Sequence, residues 1–241
     1  VLANASGRRI HWVPMNKHRN DLDAMADKIT DYTKIIYIAN PDNPMGTYIT
    51  REEFDEFYAH VPDRVLIILD EAYFEFANEI PDYPDSMTYR YDNVITLRSF
   101  SKAYGLGGIR IGYGLAHDEL ISNLMKVKVP FEPSLAAQVA GLAALDDTEF
   151  LLKTIQTNKT GMQFIKKELD VMGIERVPSA ANFITTIWGS EEQATKITQE
   201  LLEKGVIVRL LASFGWPDCI RISIGLEKEN QKCIACLKEI L

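Results

Sequence analysis

The stretch TLRSFSKAYGLGGIRIGYGLA, residues 96–116, carries a lysine, Lys102, directly after an apolar run. Ser99 and Ser101 precede it, and a glycine-rich loop leads from it to Arg110. A lysine at the end of a strand is ordinarily a solvated charge. Here two further apolar runs also end in side chains that could do chemistry. VLIILD (65–70) runs into DEAYFEF with Asp70 and Tyr73, and KIIYIAN (34–40) runs into NPDNPMG with Asn43. A lysine amine forms a Schiff base with an aldehyde only through its neutral form, which burial or nearby positive charge favours.

An aldehyde carried on a pyridine ring would want a carboxylate to keep the ring nitrogen protonated. That is the electron sink of pyridoxal 5'-phosphate, whose nitrogen partner is commonly an aspartate. Asp70 is of that type. The phenolate oxygen of such a ring wants donors such as the Asn43 amide and the Tyr73 hydroxyl. Its phosphate wants hydroxyls and a bidentate guanidinium, the types offered by Ser99, Ser101 and Arg110. The glycines make no dinucleotide fingerprint, because the G-x-G-x-x-G register fails at Arg110.

The elements that must position these groups read as strands and helices in alternation. The runs 34–40, 65–70, 93–100 and 108–116 are short and rich in Ile, Val and Leu, as expected of strands buried on both faces. Between the first two, Thr50-x-x-Glu53 is a capping box, and Phe54, Phe57, Tyr58 and Val61 follow at helical spacing. Strands separated by helices predict an open α/β sheet, whose ligands sit at the carboxyl ends of the strands. The second half reads as α+β: helices near 118–128, 133–145 and 147–172, then strands at 181–188, 205–211 and 219–225 and a last helix from Glu227. A boundary near residue 147 divides the chain into a large domain, 1–147, and a small carboxyl-terminal domain, 148–241.

With 241 residues, 46% of them hydrophobic and 25% charged, the chain is long enough for one large or two modest cores. The net charge of −8 argues against nucleic acid as a partner. No apolar run approaches the ~20 residues that span a bilayer, which argues against a membrane. Three cysteines, Cys219, Cys233 and Cys236, suit a reducing cytoplasm, and the Cys233/Cys236 pair reads as helix packing rather than a metal site. The Asn-x-Ser/Thr matches at Asn4 and Asn158 read as chance. The opening VLANASGRRI, without an initiator methionine or a capped first element, reads as a cut edge.

NPDNPMG, LDEAYFEF, SFSKAYGLGGIRIGY and IRISIG, in this order and spacing, resemble the aspartate-aminotransferase superfamily of pyridoxal-phosphate enzymes. Within it, PFEPSLAAQVAGLAAL and GVIVRLLASFGWPDCIRISIG make the chain most similar to the histidinol-phosphate aminotransferase family. The resemblance implies the type I pyridoxal-phosphate transferase fold: a large domain with a mostly parallel sheet, and a smaller α+β carboxyl-terminal domain. It implies Lys102 as the Schiff-base lysine and proton carrier, and Asp70 on the pyridine nitrogen. Asn43 and Tyr73 would lie on the phenolate oxygen, and Ser99, Ser101 and Arg110 on the phosphate. Arg221 matches the position that takes the carboxylate of L-glutamate or 2-oxoglutarate. Arg209 matches one that holds the phosphate of histidinol phosphate or imidazole-acetol phosphate, against the plain reading of a surface cation on an edge strand. Asn182 matches a position near the substrate.

On this resemblance Gly105, Gly107 and Gly108 let the chain turn back so that Arg110 reaches the phosphate. Met45 stands where the family often has threonine. A cytoplasmic homodimer is implied, and a chain lacking the family's amino-terminal segment. The alternatives are an aromatic-amino-acid aminotransferase, a related amino-acid-phosphate decarboxylase, or a non-catalytic domain of the same fold.

Overall fold

The computed structural model describes residues 5–241. A first sheet is built from β1 (Ile35–Ala39), β2 (Leu66–Asp70), β3 (Val94–Ser99) and β4 (Gly112–Leu115), in that spatial order. The first three strands are parallel and β4 is antiparallel to β3. Residues alternate across the pleat, so pairing sorts them onto two faces. Ile36, Ile38, Ile67, Leu69 and Val94 share one face and form a core with Phe54, Phe57 and Val61. Phe54 and Phe57 belong to α2 (Arg51–Tyr58), and α1 (Leu22–Asp27) adds Leu22 and Met25. The capping box that starts α2 is formed: Thr50 Oγ1 accepts from Glu53 N at 3.2 Å and Glu53 Oε2 accepts from Thr50 N at 2.7 Å.

Burial on both faces does not hold for the edge strands. Ile35 and Tyr37 of β1 are 57% and 55% exposed, because α1 and α2 cover only the other face. The last strand of this sheet is also shorter than 108–116, since Gly108–Ile111 lie in the loop before it. Gly112 permits the tight pairing there, as a Cβ on it would stand 2.7 Å from the carbonyl oxygen of Arg98.

The short α3 (Phe74–Ala77) lies between β2 and β3 in the chain, and α4 (Asp118–Val127), α5 (Leu135–Asp146) and the long α6 (Thr148–Val171) follow β4 and lead to the second sheet. The second sheet is antiparallel, with β7 (Cys219–Ser223) between β5 (Phe183–Ile187) and the two-residue β6 (Arg209–Leu210). Ile184, Ile220 and Ile222 pack on α6, on α7 (Glu191–Glu203) and on α8 (Glu227–Ile240), through Ile165, Leu169, Ile197, Leu201, Ile234 and Leu237. Cys233 and Cys236 are part of that core, and all three cysteines are buried and unpaired. Asn158 lies within α6, whereas Asn4 falls outside the described residues. Among the described residues no helix is long and apolar enough to cross a membrane, and no cluster of His, Cys, Asp and Glu is arranged to hold a metal.

The opposite face of the second sheet carries Phe183, Thr185 and Arg221, and it meets the loop after β1. Thr185 Oγ1 donates to the carbonyl of Pro44 at 2.6 Å, Ala180 N donates to Gly46 O at 2.8 Å, and Met45 is fully buried against Val177, Leu211 and Cys219. Met45 is therefore an apolar plug between this loop and the second sheet.

Candidate active site

The carboxyl ends of β1 and β2 and the turn after β3 open into one cleft of about 190 Å³, lined by Tyr37, Ala39, Pro41, Asn43, Asp70, Ala72, Tyr73 and Lys102. Four of the residues singled out in the sequence, Asn43, Asp70, Tyr73 and Lys102, therefore share a single cavity. They come from three separate strand ends, which is where an open α/β sheet collects its ligand groups.

Asp70 ends β2 on the face away from the α2 core. Its Oδ1 accepts from Ala72 N at 3.1 Å, and its Oδ2 accepts the hydroxyl of Tyr37. Tyr73 follows within one turn. Its ring is buried and packs edge-on against Phe183 of β5, with centroids 5.3 Å apart at 86°. Lys102 Nζ stands 5.2 Å from the centroid of the Tyr73 ring. Lys102 is exposed as a residue, and the Tyr73 ring, with Ala39, Pro41 and Ala72 in the same lining, supplies the apolar surface of the cleft it enters.

Ser99, Ser101 and Arg110 gather beside Lys102 but outside the cleft lining. Ser101 N donates to Ser99 Oγ at 3.0 Å, and Arg110 Nη1 lies 3.4 Å from Ser101 Oγ and 2.9 Å from the carbonyl of Gly107. The turn that brings Arg110 back differs from the expected one. Of the three glycines only Gly105 has positive φ, at 70°, and the second left-handed residue is Arg110 itself, at 62°. A side chain in that region costs about 1–2 kcal/mol, and such strain is characteristic of functional positions.

Arg221 lies in β7 opposite Thr185, with its guanidinium 4.9 Å above the Phe183 ring. One of its η nitrogens donates to Asn43 Oδ1, while its Nε is buried with no hydrogen-bond partner among the described residues. With one lone pair of its oxygen engaged by Arg221, the Asn43 amide still has N–H donors to offer the cleft. Arg209 is the direct cross-strand neighbour of Arg221, exposed, with its guanidinium 5.8 Å from the Phe214 ring centroid. Like charges directly opposite are destabilising, so this pair suits a bound anion. Asn182 immediately precedes β5, and its carbonyl accepts from Ile224 N at 2.9 Å. It does not line the cleft.

Tyr37 was not singled out from the sequence. It pairs with Ile68, so it lies two residues along from the Ala39–Asp70 pair on the same face. Burial, then the neighbouring carboxylate of Asp70, pushes its hydroxyl well above the ordinary tyrosine range, so it remains a donor. Below it, burial pushes the Asp42 carboxyl up against the opposing pull of the Met45 and Asn43 N–H groups.

Chemically, the arrangement offers a carboxylate for a cationic ring nitrogen, amide and hydroxyl donors, an amine over an aromatic ring, and a hydroxyl–guanidinium cluster for an anion.

A comparison with known proteins agrees. A histidinol-phosphate aminotransferase 2 of Carboxydothermus hydrogenoformans is 42% identical over 231 residues, 95% of this chain and 63% of that protein. A histidinol-phosphate aminotransferase of Akkermansia muciniphila is 44% identical over 92% of this chain and 60% of that protein. The chain thus spans less than two thirds of the length of these curated relatives. The crystal structure of histidinol-phosphate aminotransferase from Sinorhizobium meliloti in complex with pyridoxal-5'-phosphate superposes with a TM-score of 0.90 at 30% identity, over 99% of this chain and 67% of that one. The family model for aminotransferase class I and II matches residues 1–236, and the chain belongs to that family.

Proposed function

We propose that the protein is a pyridoxal-phosphate-dependent aminotransferase of histidine biosynthesis. It would move an amino group from L-glutamate to imidazole-acetol phosphate, giving 2-oxoglutarate and histidinol phosphate, or run in reverse. The observation that carries this reading is the meeting of Asn43, Asp70, Tyr73 and Lys102 in one cleft. The likeness to relatives named for this activity supports the choice of substrates.

The donor set fits the cofactor group by group. Asp70 would hold the ring nitrogen, Asn43 and Tyr73 the phenolate oxygen, and Ser99, Ser101 and Arg110 the phosphate. Lys102 would be the covalent anchor. When bound, the cofactor supplies an electron sink for the bonds at the substrate's α-carbon. Lys102 Nζ, beside that carbon, would take and return its proton. Arg221, whose buried Nε lacks an acceptor among the described residues, takes the substrate carboxylate, because a buried unpaired donor is costly until an anion arrives. Arg209, opposite it, takes the phosphate of the larger substrate. Asn182 stands at the start of β5 as a further substrate-side residue.

In this reading residues 1–147 form the cofactor domain and 148–241 the small domain. The working form is a cytoplasmic homodimer acting on small molecules, without nucleic acid or membrane. The test is an absorbance spectrum with pyridoxal phosphate, followed by transfer of labelled nitrogen from L-glutamate to imidazole-acetol phosphate. A visible band that requires Lys102, bleaches with glutamate and delivers label to histidinol phosphate is the expected result. Wild-type protein that forms no band overturns the reading. Label transfer that Arg209→Ala slows equally for phosphorylated and unphosphorylated acceptors removes the substrate assignment.

A further inference from the structure

Asp70 has two hydrogen-bond donors from two different elements. Ala72 N, at 3.1 Å on Oδ1, belongs to the same turn and follows from the local chain path. The Tyr37 hydroxyl, on Oδ2, comes from the neighbouring strand and need not be there. Tyr37 interrupts the sequence Ile35-Ile36-Tyr37-Ile38-Ala39, with Ile36 and Ile38 turned into the core. The β1–β2 register sets Ala39 opposite Asp70, so Tyr37 sits on the same face one diagonal away. Diagonal neighbours on a sheet stand roughly 7–8 Å apart, within reach of an aromatic side chain. The ring is half exposed and lines the cleft, so burial of apolar area does not account for its presence.

We infer that Tyr37 is the positioning residue for Asp70, holding its carboxylate in the orientation that meets a protonated ring nitrogen; this rests on the cofactor reading above. An ionised carboxylate accepts at about four lone-pair sites. Tyr37 and Ala72 occupy one on each oxygen and leave the remainder directed to the cleft. The donor type matters as much as its place. A lysine or arginine at position 37 would neutralise Asp70 and compete with the ring nitrogen for it. A phenol fixes the carboxylate while leaving its charge intact, and its raised pKa keeps the proton on Tyr37.

The experiment compares binding of pyridoxal phosphate with binding of its analogue in which a C–H replaces the ring nitrogen, by equilibrium dialysis. Wild type, Tyr37→Phe, Tyr37→His and Asp70→Asn are measured, with thermal unfolding as a check of folding. Wild type should prefer the natural cofactor. Y37F should lose about tenfold of that preference, the scale of one hydrogen bond to a charged group, while its affinity for the analogue stays unchanged. Y37H, which keeps a ring and a donor, should recover part of the preference. Equal loss of affinity for both compounds in Y37F would assign Tyr37 a purely structural role and overturn the inference. So would a preference that Y37F leaves intact. A wild type that prefers neither compound, or a D70N variant that keeps the preference, removes the Asp70 reading itself and this inference with it.

Discussion

Arg98 and Glu71 are joined on the face of the first sheet opposite the cleft, each one residue away from a group that lines or borders it. Arg98 Nε and Nη2 donate to Glu71 Oε2 at 3.0 and 2.9 Å, and Nη2 also reaches Asp85 Oδ1 at 2.6 Å. Both side chains are buried, at 6% and 1% exposure, and the guanidinium lies 3.3 Å from the centroid of the Phe74 ring. Burial opposes the charge on Arg98, but Glu71 and Asp85 outweigh it and hold the guanidinium charged. Because Glu71 follows Asp70 and Arg98 precedes Ser99, the pair clamps the ends of β2 and β3.

Removing one partner should therefore cost far more than the pair is worth. Arg98→Ala strands the Glu71 carboxylate in the core, a change worth about 3–5 kcal/mol. The double variant R98M/E71M, which removes both charges, should regain much of that loss. Urea unfolding of wild type and the two variants gives the answer, and a double variant no more stable than R98A would contradict the pairing.

Glu75 supplies the pH dependence. Burial pushes its carboxyl up to about 7 from the ordinary 4.5, with Arg98 pulling down and Glu71 pushing up, and its Oε2 has no hydrogen-bond partner among the described residues. The folded state thus holds a proton that the unfolded state has released. Stability should be full below the unfolded pKa and fall as pH rises through the folded one. At pH 8 the deficit is at most roughly 3 kcal/mol at 1.36 kcal/mol per unit. Glu75→Gln should flatten the stability profile between pH 5 and 8, as read from unfolding midpoints across that range. A profile with the same slope in both proteins would assign the dependence elsewhere.

Arg110 offers a separation of stability from binding. At φ 62° it occupies a conformation glycine adopts freely. Arg110→Gly should leave unfolding stability within about 1 kcal/mol of wild type, strain relief offsetting the greater chain entropy of glycine. The same change removes the guanidinium beside Ser101, so affinity for pyridoxal phosphate should fall by about tenfold or more. Dialysis and thermal unfolding on one preparation test both halves. A large loss of stability with binding intact would contradict the assignment of Arg110 to the phosphate.

What was legible in the sequence is what the chain presents locally. Asp70 ends an apolar run, and Lys102 and Asn43 follow theirs within two and three residues, so their meeting at one sheet edge needed only the parallel order of the strands. Tyr37 was invisible because its partner depends on which residue of β2 faces Ala39, a fact of register rather than of neighbourhood. The opposition of Arg209 and Arg221 was hidden for the same reason, being set by a two-residue strand. Gly107 and Gly108 looked like the source of the turn after Lys102, yet the second left-handed residue fell on Arg110, whose anchoring by Gly107 O and Ser101 Oγ a linear pattern cannot express.

Gly46 joins the cleft loop to the second sheet, and its substitution should expose how tightly the two depend on each other. Its φ of 82° already disfavours a side chain, and a Cβ there would overlap the Ser179 side chain and come within 3.1 Å of the Ser179 Cα. The surrounding contacts leave little room to retreat. Gly46 N donates to Asp42 O and Gly46 O accepts from Ala180 N, both at 2.8 Å, while Met45 and Pro44 are held by the core and by Thr185. Gly46→Ala should cost more than about 2 kcal/mol, combining left-handed strain with overpacking. Trimming the obstacle in G46A/S179G should recover only part, since the backbone contact and the strain of about 1–2 kcal/mol persist. The loop that must yield also carries Asn43, three residues earlier, on the amide whose oxygen meets Arg221. Binding of pyridoxal phosphate should therefore weaken in G46A even where the protein is fully folded, and should return with stability in the double variant. If stability falls while binding of the folded fraction is untouched, Asn43 is held by Arg221 alone and the loop serves only the packing of the two sheets.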